Sequence, residues 1–292
     1  EDGIDFIRMG SELSCSEAYH EHLLSSIAGR CANIAELRHK FAECRVVVGT
    51  TAALNSGIQV FNIKQFSLAI IDEASQILEP HIIGLLSATH DGEPAIGRFV
   101  MIGDHKQLPA VVQQRQDESA VSDEGLNGIM LTDCRLSLFE RMLKRYGSDP
   151  RVCYMLRKQG RMHPDIARFP NREFYGGMLQ PVPLPHQRGE LSANVHCNDE
   201  LDLRLSRHRV MFIDVPTPDD SPSDKVNVAE ARVIADIVGR VRRMTPDFDA
   251  TSSIGVIVPY RNQITAVRNA VDSLGMDGLK NITIDTVERY QG

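Results

Sequence analysis

Short apolar runs alternate with helical stretches along most of this 292-residue sequence. Three runs in the first half, at residues 46–48, 68–71 and 99–102, end directly in small or acidic residues. Near-continuous apolar runs are typical of strands in a parallel sheet with both faces covered. Strands that alternate with helices predict βαβ units, and therefore an α/β fold. In such folds the functional residues lie at the carboxyl ends of the strands, where the polar residues of this sequence fall.

The length and one helix-breaking run predict two domains. Domains typically hold roughly 150 residues. An amphipathic helix predicted at residues 136–146 is followed by the run Gly-Ser-Asp-Pro, which favours a break. We therefore place a domain boundary here, between residues 1–148 and 149–292. Residues 11–44 are mostly helical in pattern and are a candidate helical insertion in the first domain.

The other predicted elements follow from apolar period and turn residues. In the second half, strands are predicted at 152–156, 210–213, 254–258 and 282–284, and helices at 227–244 and 264–274. The polar stretch at 113–128 predicts a surface loop, and residues 181–207 show no clear period.

The composition limits the classes of protein to which this sequence can belong. The net charge of −7 argues against binding nucleic acid by bulk positive charge, although it allows a local basic channel. The six cysteines include no CxxC pair, so a zinc or iron–sulfur site is not expected. Scattered cysteines are typical of a reducing compartment. No apolar run reaches the ~18 residues that cross a bilayer.

The two ends of the sequence predict a piece of a longer protein. The first residue is Glu1 instead of an initiator Met, residues 1–5 do not resemble a signal peptide, and the last residue is Gly292. We therefore expect an internal fragment of an intracellular protein without a membrane segment. Its compartment would be cytoplasmic or nuclear, and cytoplasmic in a prokaryote.

Asp72 and Glu73 directly follow the apolar run at residues 68–71. A buried strand can aim two carboxylates at one point beyond its end. In nucleotide hydrolysis one carboxylate holds Mg²⁺ and the other takes a proton from the attacking water. The alternative is a helix N-cap, in which a carboxylate accepts hydrogen bonds from free N–H groups. The pair by itself leaves both interpretations open.

Gln107 and Arg161 extend the hypothesis of nucleotide hydrolysis to two further loops. Gln107 follows the run at 99–102, and its amide can donate and accept hydrogen bonds at a γ-phosphate and an attacking water. Arg161 follows the run at 152–156, and an arginine there can stabilise transition-state charge. The alternatives are a simple strand-to-loop turn at Gln107 and a solvated basic turn at Arg161.

Two loops of the second half carry residues that suit a nucleic-acid backbone. One contains Pro259 and Tyr260, and the other contains Thr286 and Gln291. Thr, Gln and backbone N–H groups can bind phosphates without reading bases. Tyr260 and Tyr290 can stack on bases, with ordinary packing in a loop as the alternative.

Together these segments resemble the superfamily 1 helicases, in particular the 1B group that includes the nonsense-mediated-decay helicase and the Okazaki-fragment-processing helicase–nucleases. The resemblance covers almost the whole chain. It rests on VVVGTTAAL (46–54), LAIIDEASQILEP (68–80), FVMIGDHKQLPAVV (99–112), SLFERML (137–143), RMHPDIARFPNREFYGGML (161–179), VNVAEARVI (226–234), IGVIVPYRNQ (254–263) and ITIDTVERYQG (282–292). Eight segments in the order of the family make the resemblance specific.

The resemblance implies an α/β fold of the P-loop NTPase type. It implies two tandem RecA-like parallel-sheet domains, the first without its P-loop portion and the second truncated. ATP would bind between them with Mg²⁺, and single-stranded nucleic acid across both. By position, Asp72 would hold Mg²⁺ through water and Glu73 would be the catalytic base. Gln107 would sense the γ-phosphate, and Arg161 would reach it from the second domain.

The resemblance also implies residues on the nucleic-acid path. Thr50 and Thr51 would link that path to the ATP site. Thr286, Gln291 and Gly292 match the fifth helicase motif, which couples nucleotide and backbone contacts. The implied partner is single-stranded or partly duplex DNA or RNA, bound by a monomeric motor.

Three departures from the family pattern bear on function. The sequence contains no Gly-Lys dipeptide, so the phosphate-binding motif GxxxxGK[ST] is absent and this chain alone should bind ATP poorly. The arginine of the sixth motif would lie beyond Gly292. Gly160 occupies the position of a tyrosine that in the family commonly lies beside adenine, and glycine permits a looser loop before Arg161.

Three functions follow as alternatives. The first is an ATP-dependent helicase that moves on single strands, with 5′ to 3′ direction implied by the resemblance alone. The second is a nucleic-acid-stimulated ATPase that remodels complexes without strand separation. The third, favoured by Gly160 and the acidic charge, is a scaffold that binds nucleic acid without hydrolysing nucleotide.

Overall fold

The computed structural model describes residues 4–189, 195–216 and 223–291. The chain divides into two units, Glu1–Met155 and Leu156–Gly292. The proposed domain boundary at 148/149 stays a prediction. In the described residues no helix is both long and apolar enough to cross a membrane.

Short, mostly parallel strands form the sheets of the first unit. They are β1 (Phe6–Met9), β2 (Val46–Gly49), β3 (Ala69–Ile71), β4 (Thr89–His90), β5 (Glu93–Pro94) and β6 (Phe99–Met101). β1 pairs in parallel with β2, β3 pairs in parallel with β6, and β4 pairs antiparallel with β5. The register places Ile71 beside Met101, so β3 and β6 end side by side. The predicted α/β class with parallel sheets is confirmed, as are the strands predicted at 46–48, 68–71 and 99–102.

Helices fill the rest of the first unit. They are α1 (Leu24–Arg30), α2 (Ile34–Glu43), α3 (Thr51–Ser56), α4 (Glu79–Leu86), α5 (Gln116–Ser119), α6 (Glu124–Gly128) and α7 (Leu138–Tyr146), with 3-10 turns at Glu12–Ser14, Glu17–His22, Ile58–Asn62 and Ala74–Gln76. The predicted helical character of residues 11–44 is confirmed. The predicted helix over 136–146 corresponds to α7, which begins at a capping box. In it Ser137 Oγ accepts from Glu140 N at 3.1 Å, and the Glu140 carboxylate accepts from Ser137 N.

A buried apolar cluster fixes the end of β3. Ile71 and Ala74 pack with Ile82 of α4 and Leu138 of α7. These contacts hold the residues that directly follow β3 against two helices, which is where the first candidate site residues lie.

The second unit is built around one parallel strand pair and two helices. Its elements are β7 (Lys158–Gln159), α8 (Pro164–Tyr175), β8 (Gln180–Pro181), α9 (Pro185–Arg188), α10 (Glu200–Arg207), α11 (Val228–Met244), β9 (Gly255–Val258), α12 (Arg261–Asp272), β10 (Thr283–Thr286) and α13 (Val287–Tyr290). β9 pairs in parallel with β10, and β7 with β8. Ala231, Ala235 and Val238 are buried at the spacing of one helix face, and they pack with β9 and β10. The predictions at 227–244, 254–258, 264–274 and 282–284 are confirmed.

Two predicted strands are wrong. Residues 152–156 and 210–213 are described, and neither segment is in a strand. Tyr154 is 82% exposed and Phe212 is 91% exposed. A strand needs a partner for its backbone N–H and C=O groups. The short apolar pattern does not specify whether a partner is present, and here the strand that precedes Arg161 is β7.

Two segments in which no helix was predicted contain helices. The predicted loop at 113–128 includes α5 and α6, and the stretch at 181–207 includes α9 and α10. Asp199 is the N-cap of α10, and its side chain accepts a hydrogen bond from Asp202 N. Such short helices depend on caps and on contacts distant in sequence more than on apolar period.

Candidate active site

Asp72 and Glu73 lie at the carboxyl end of β3, both exposed. Asp72 Oδ1 accepts from Glu73 N at 3.0 Å. The Glu73 side chain accepts from Gln76 Nε2 at 3.0 Å and caps no helix N–H group, although Glu73 precedes a 3-10 turn. The helix-cap alternative for Glu73 is therefore not realised, and its carboxylate faces solvent.

The backbone of Glu73 is strained. Its φ and ψ are 50° and 37°, in the left-handed region that non-glycine residues avoid. Hydrogen bonds on both sides fix the turn: Ala74 N donates to Ile102 O, and Ile102 N donates to Ile71 O, both at 2.8 Å. Strain of this kind persists where the surroundings determine the conformation, and it concentrates at functional sites.

Gly103 allows the ends of β3 and β6 to approach each other closely. A Cβ atom at this position would lie 2.8 Å from the backbone nitrogen of Ser75, closer than such atoms come in proteins. In addition, Asp104 N donates to Ser75 Oγ at 3.2 Å. The loop that carries Gln107 is thereby attached to the turn that carries Glu73.

Gln107 is exposed and is held by Asp104, a residue to which the sequence analysis gave no role in the site. Gln107 Nε2 donates to Asp104 Oδ2 at 2.9 Å, and Lys106 N donates to Asp104 Oδ1 at 2.9 Å. The signal that could have found Asp104 is its position: an aspartate two residues before a backbone N–H commonly forms such a turn. The structure thus brings Asp72, Glu73 and the Gln107 loop to two adjacent strand ends.

The oxygen-rich character of this site suits a divalent cation bound with a nucleotide. Carboxylates and water are the ligands that Mg²⁺ prefers, with few direct protein ligands when phosphates are present. Asp72 and Glu73 supply two exposed carboxylates at one strand end. In the described residues no three or more His, Cys, Asp or Glu side chains form a cluster able to hold a metal by themselves. The residues present therefore fit an ion that a nucleotide helps to coordinate.

Thr50 and Thr51 lie at the carboxyl end of β2. Thr50 Oγ1 accepts from Ala53 N at 3.2 Å and caps α3. Because one hydroxyl lone pair and its proton stay available after this bond, the cap does not exclude a contact with a ligand.

Arg161 lies in the second unit, in the loop between β7 and α8, and its side chain is exposed. Its backbone N donates to Gln159 Oε1 at 3.1 Å. The preceding Gly160 does not adopt a left-handed φ, and a Cβ there would lie 3.3 Å from Leu184 Cδ1. Backbone conformation therefore does not require glycine at this position, while Leu184 narrows the space beside it.

The predicted nucleic-acid loops lie at the ends of β9 and β10. Pro259 follows β9, and Tyr260 is 48% exposed with Lys225 Nζ 6.0 Å from its ring centroid. Thr286 is buried at the end of β10, and a hydrogen bond with its side chain lowers the pKa of Glu288. The parallel register of β9 and β10 places Val258 beside Thr286, so both loops leave the same edge of the strand pair.

Gln291 and Tyr290 differ in what they can offer a ligand. Gln291 Nε2 is buried and has no hydrogen-bond partner within the part of the chain that the structure describes. Tyr290 is engaged: its hydroxyl donates to Thr283 O at 2.7 Å, and its ring covers Gly255. Tyr290 therefore has packing contacts with the strands, as the alternative to base stacking requires. Gly292, the remaining predicted residue of this motif, lies outside the described residues.

Comparison with known proteins identifies related chains. A family model described as an AAA domain matches residues 134–292, and a second model, also described as an AAA domain, matches residues 12–115. The DNA replication ATP-dependent helicase/nuclease JHS1 of Arabidopsis thaliana is 28% identical over 99% of this chain and 20% of the relative. Helicase sen1 of Schizosaccharomyces pombe is 26% identical over 97% of this chain and 16% of the relative.

A third relative, the DNA replication ATP-dependent helicase/nuclease DNA2 of Mus musculus, is 28% identical over 89% of this chain and 23% of the relative. The chain thus spans about a fifth of the length of these curated relatives.

Proposed function

The chain belongs to the AAA-domain family of superfamily 1 helicases, in the group of Sen1 and Dna2, and from this premise we propose that it is part of an ATP-driven motor on nucleic acid. The motor would couple ATP hydrolysis to movement on single strands and to the unwinding of duplexes. The observation that carries the proposal is the pairing of β3 with β6. It brings the Asp72–Glu73 turn and the Gln107 loop to adjacent carboxyl ends, where parallel sheets perform their chemistry.

The proposed chemistry assigns a role to each residue of the site. Asp72 holds the cation through water, and Glu73 accepts a proton from the water that attacks the γ-phosphate. Gln107, oriented by Asp104, orients that water or senses the γ-phosphate. Arg161 supplies positive charge to the transferring phosphoryl group. When bound, Mg²⁺ neutralises developing charge on the phosphate oxygens.

We propose two tandem RecA-like domains and a phosphate-binding loop supplied from outside these 292 residues. The absence of GxxxxGK[ST] supports the second part. The small share of its relatives' length that the chain covers, 20% and 16%, supports it as well. On this proposal the isolated chain hydrolyses ATP poorly.

The nucleic-acid path would use polar groups at strand ends. Thr50 and Thr51 in the first unit, with Pro259, Tyr260 and the fifth-motif residues in the second, are proposed to contact the backbone. The unpaired Gln291 Nε2 supports this proposal, since a phosphate oxygen is the acceptor that such a buried donor lacks. Backbone contacts of this kind fit single-stranded DNA or RNA. We also propose that the motor is monomeric and moves in the 5′ to 3′ direction.

The decisive experiment measures ATP hydrolysis by the full-length protein with and without single strands. Glu73→Gln should abolish turnover while ATP binding is retained, because it removes the proton acceptor and keeps the size of the side chain. Glu93→Gln is the matched control, an exposed glutamate at the start of β5 in the same unit, and it should leave turnover unchanged. Equal turnover in wild type and Glu73→Gln would remove Glu73 from the mechanism.

Strand-separation and single-strand-binding assays on the same proteins, beside ATP hydrolysis, separate the alternative functions. Strand-stimulated turnover without strand separation would identify a remodelling ATPase. Binding of single strands without turnover would identify a scaffold, the function that Gly160 and the net charge of −7 favour.

A further inference from the structure

The loop that carries Arg161 is closed by the side chain of Gln159. Gln159 Oε1 accepts from Arg161 N at 3.1 Å and from Met162 N at 2.7 Å. Gln159 Nε2 donates to Met162 O at 2.8 Å. One amide therefore fixes the backbone on both sides of the Arg161 Cα atom, while the Arg161 side chain stays exposed.

A second amide, from a segment distant in sequence, attaches this loop to α9. Gln187 is only 3% exposed, and its Nε2 donates to Gln159 O at 3.0 Å and to Met162 O at 2.9 Å. Its Oε1 accepts from Leu184 N at 3.3 Å, which joins the same amide to the start of α9. The polar atoms of this buried side chain are thus divided between the Arg161 loop and its own helix.

His186, the neighbour of Gln187 on α9, holds the residue before Arg161. His186 Nε2 lies 2.8 Å from Gly160 O. A carbonyl oxygen only accepts, so the imidazole donates. Gly160 brings no side chain that could anchor the loop, and the hydrogen bond from His186 to its carbonyl restrains it instead.

We infer that Gln187 and His186 are positioning residues that fix the direction in which Arg161 leaves its loop. The inference rests on the proposed role of Arg161 in phosphoryl transfer. An arginine that stabilises transition-state charge must be placed accurately, because a displacement of about 1 Å can cost roughly 100-fold in rate. Three hydrogen bonds from α9 to residues 159–162 restrain the backbone from which that side chain extends.

The test compares steady-state ATP hydrolysis by the full-length protein and its Gln187→Met variant. Methionine keeps the length of the side chain, suits a buried position and removes both donor bonds. We expect kcat to fall by about 10- to 100-fold, with unchanged KM for ATP and unchanged affinity for a single-stranded oligonucleotide. Gln180→Met is the matched control, an exposed glutamine on the adjacent β8, and it should retain full kcat.

A double-substitution cycle with Arg161→Ala distinguishes positioning from general damage. Once Arg161 is absent, Gln187→Met should reduce kcat no further, because both changes act through the same group. A loss of the same size in both backgrounds would overturn the inference. An unchanged kcat in a folded Gln187→Met variant would also overturn the inference, but it would not contradict the proposed role of Arg161. Wild-type turnover in Arg161→Ala alone would instead contradict the proposed role of Arg161.

His186 provides an independent pair of variants in case Gln187→Met fails to fold, as judged by its thermal transition in circular dichroism. His186→Leu removes the bond to Gly160 O and should lower kcat. His186→Gln keeps an N–H donor and should restore most of it. Equal kcat for the leucine and glutamine variants would overturn the part assigned to His186.

Discussion

Glu73 combines the proposed proton acceptor with an unfavourable backbone conformation. A left-handed conformation costs a non-glycine residue about 1–2 kcal/mol, and Glu73 adopts φ 50° and ψ 37°. The turn is kept by hydrogen bonds from the ends of β3 and β6 and by the buried Ala74 beside it. The strained backbone of Glu73 thus lowers the stability of the chain while it fixes the direction of one carboxylate. Such strain is expected at a functional site.

Gly103 allows a prediction at the same scale. Gly103→Ala should lower the free energy of unfolding by roughly 1–3 kcal/mol, since overpacking forces neighbouring backbone to shift, and the added Cβ would meet Ser75 N. The rate of ATP hydrolysis should fall as well, because the loop that carries Gln107 begins at Gly103. Urea denaturation and ATP hydrolysis measure the two effects.

Gly29→Ala is the control for that substitution. No atom lies within 4 Å of the Cβ that it would add in α1, and alanine should keep or raise stability by up to about 1 kcal/mol. Equal stability of the two variants would show that the strand ends do not need their close approach.

The elements of the first unit are joined by a buried ion pair between α4 and α7. Arg141 Nε and Nη2 donate to the two carboxylate oxygens of Glu79 at 2.7 and 2.5 Å, and both side chains are 10% exposed. Arg141 Nη1 also donates to Ile129 O at 3.0 Å. Because α4 and α7 both pack on the end of β3, this pair supports the turn that carries Asp72 and Glu73.

Arg141→Ala should destabilise the protein by about 3–5 kcal/mol, because it leaves the Glu79 charge buried without a partner. The double substitution Glu79→Leu with Arg141→Met should cost much less, since neither charge remains. Lys40→Ala breaks an exposed pair with Glu36 and should cost at most about 1 kcal/mol. Urea denaturation midpoints of wild type and the three variants test this prediction. Equal losses of stability in Arg141→Ala and in the double variant would contradict it.

The ion pairs between α10 and α11 predict that the stability of the second unit depends on pH. Asp202 of α10 is fully buried, and its carboxylate accepts from Arg240 Nη1 and Arg243 Nη2 of α11. A backbone hydrogen bond from Asn198, and then the two arginines, lower its pKa from 3.8 to about 2. A lowered pKa means that the ionised form stabilises the fold, so this contribution is complete above 3.8 and is lost as the pH falls through about 2.

Asp202→Asn should therefore be less stable than wild type at neutral pH, by a difference that shrinks as the pH falls from about 4 to about 2. Thermal midpoints measured across that range test the expectation. Asp272→Asn, at an exposed position on α12, is the control for the loss of one carboxylate. A difference between Asp202→Asn and wild type that stays constant across the range would rule out the Asp202 carboxylate as the source of the pH dependence.

At the scale of the whole molecule, each unit has its own buried apolar residues, and the chain has an excess of negative charge. Separate buried clusters support each unit, and the net charge is −7. The candidate nucleic-acid residues are threonine, glutamine, proline and tyrosine. None of these side chains carries a formal charge, so the contacts proposed for them would release few condensed counterions.

Single-strand binding by the full-length protein should therefore depend weakly on salt. Proteins with 6–10 cationic phosphate contacts lose roughly 1,000-fold or more in affinity between 50 and 200 mM salt, and we expect a loss below about 100-fold here. Fluorescence anisotropy of a labelled oligonucleotide over this range provides the measurement. A steeper dependence would assign the binding energy to lysines and arginines instead.

The sequence by itself determined the α/β class and the strand ends that carry the candidate site. Apolar runs predicted β2, β3 and β6, and the amphipathic period predicted α7 and α11. These features are local, since each depends on residues within a few positions of one another. Asp72, Glu73 and Gln107 were found for the same reason, because each directly follows an apolar run.

Tertiary structure decided which runs have partners and what holds the site residues. The runs at 152–156 and 210–213 are as apolar as true strands, yet they stay unpaired, and pairing depends on residues far away in the chain. The contacts of Arg141 with Glu79 and of Gln187 with the Arg161 loop join positions 62 and 25–28 residues apart. Period and spacing report only the local surroundings of a residue, so the partners that position the site emerge only when the chain has folded.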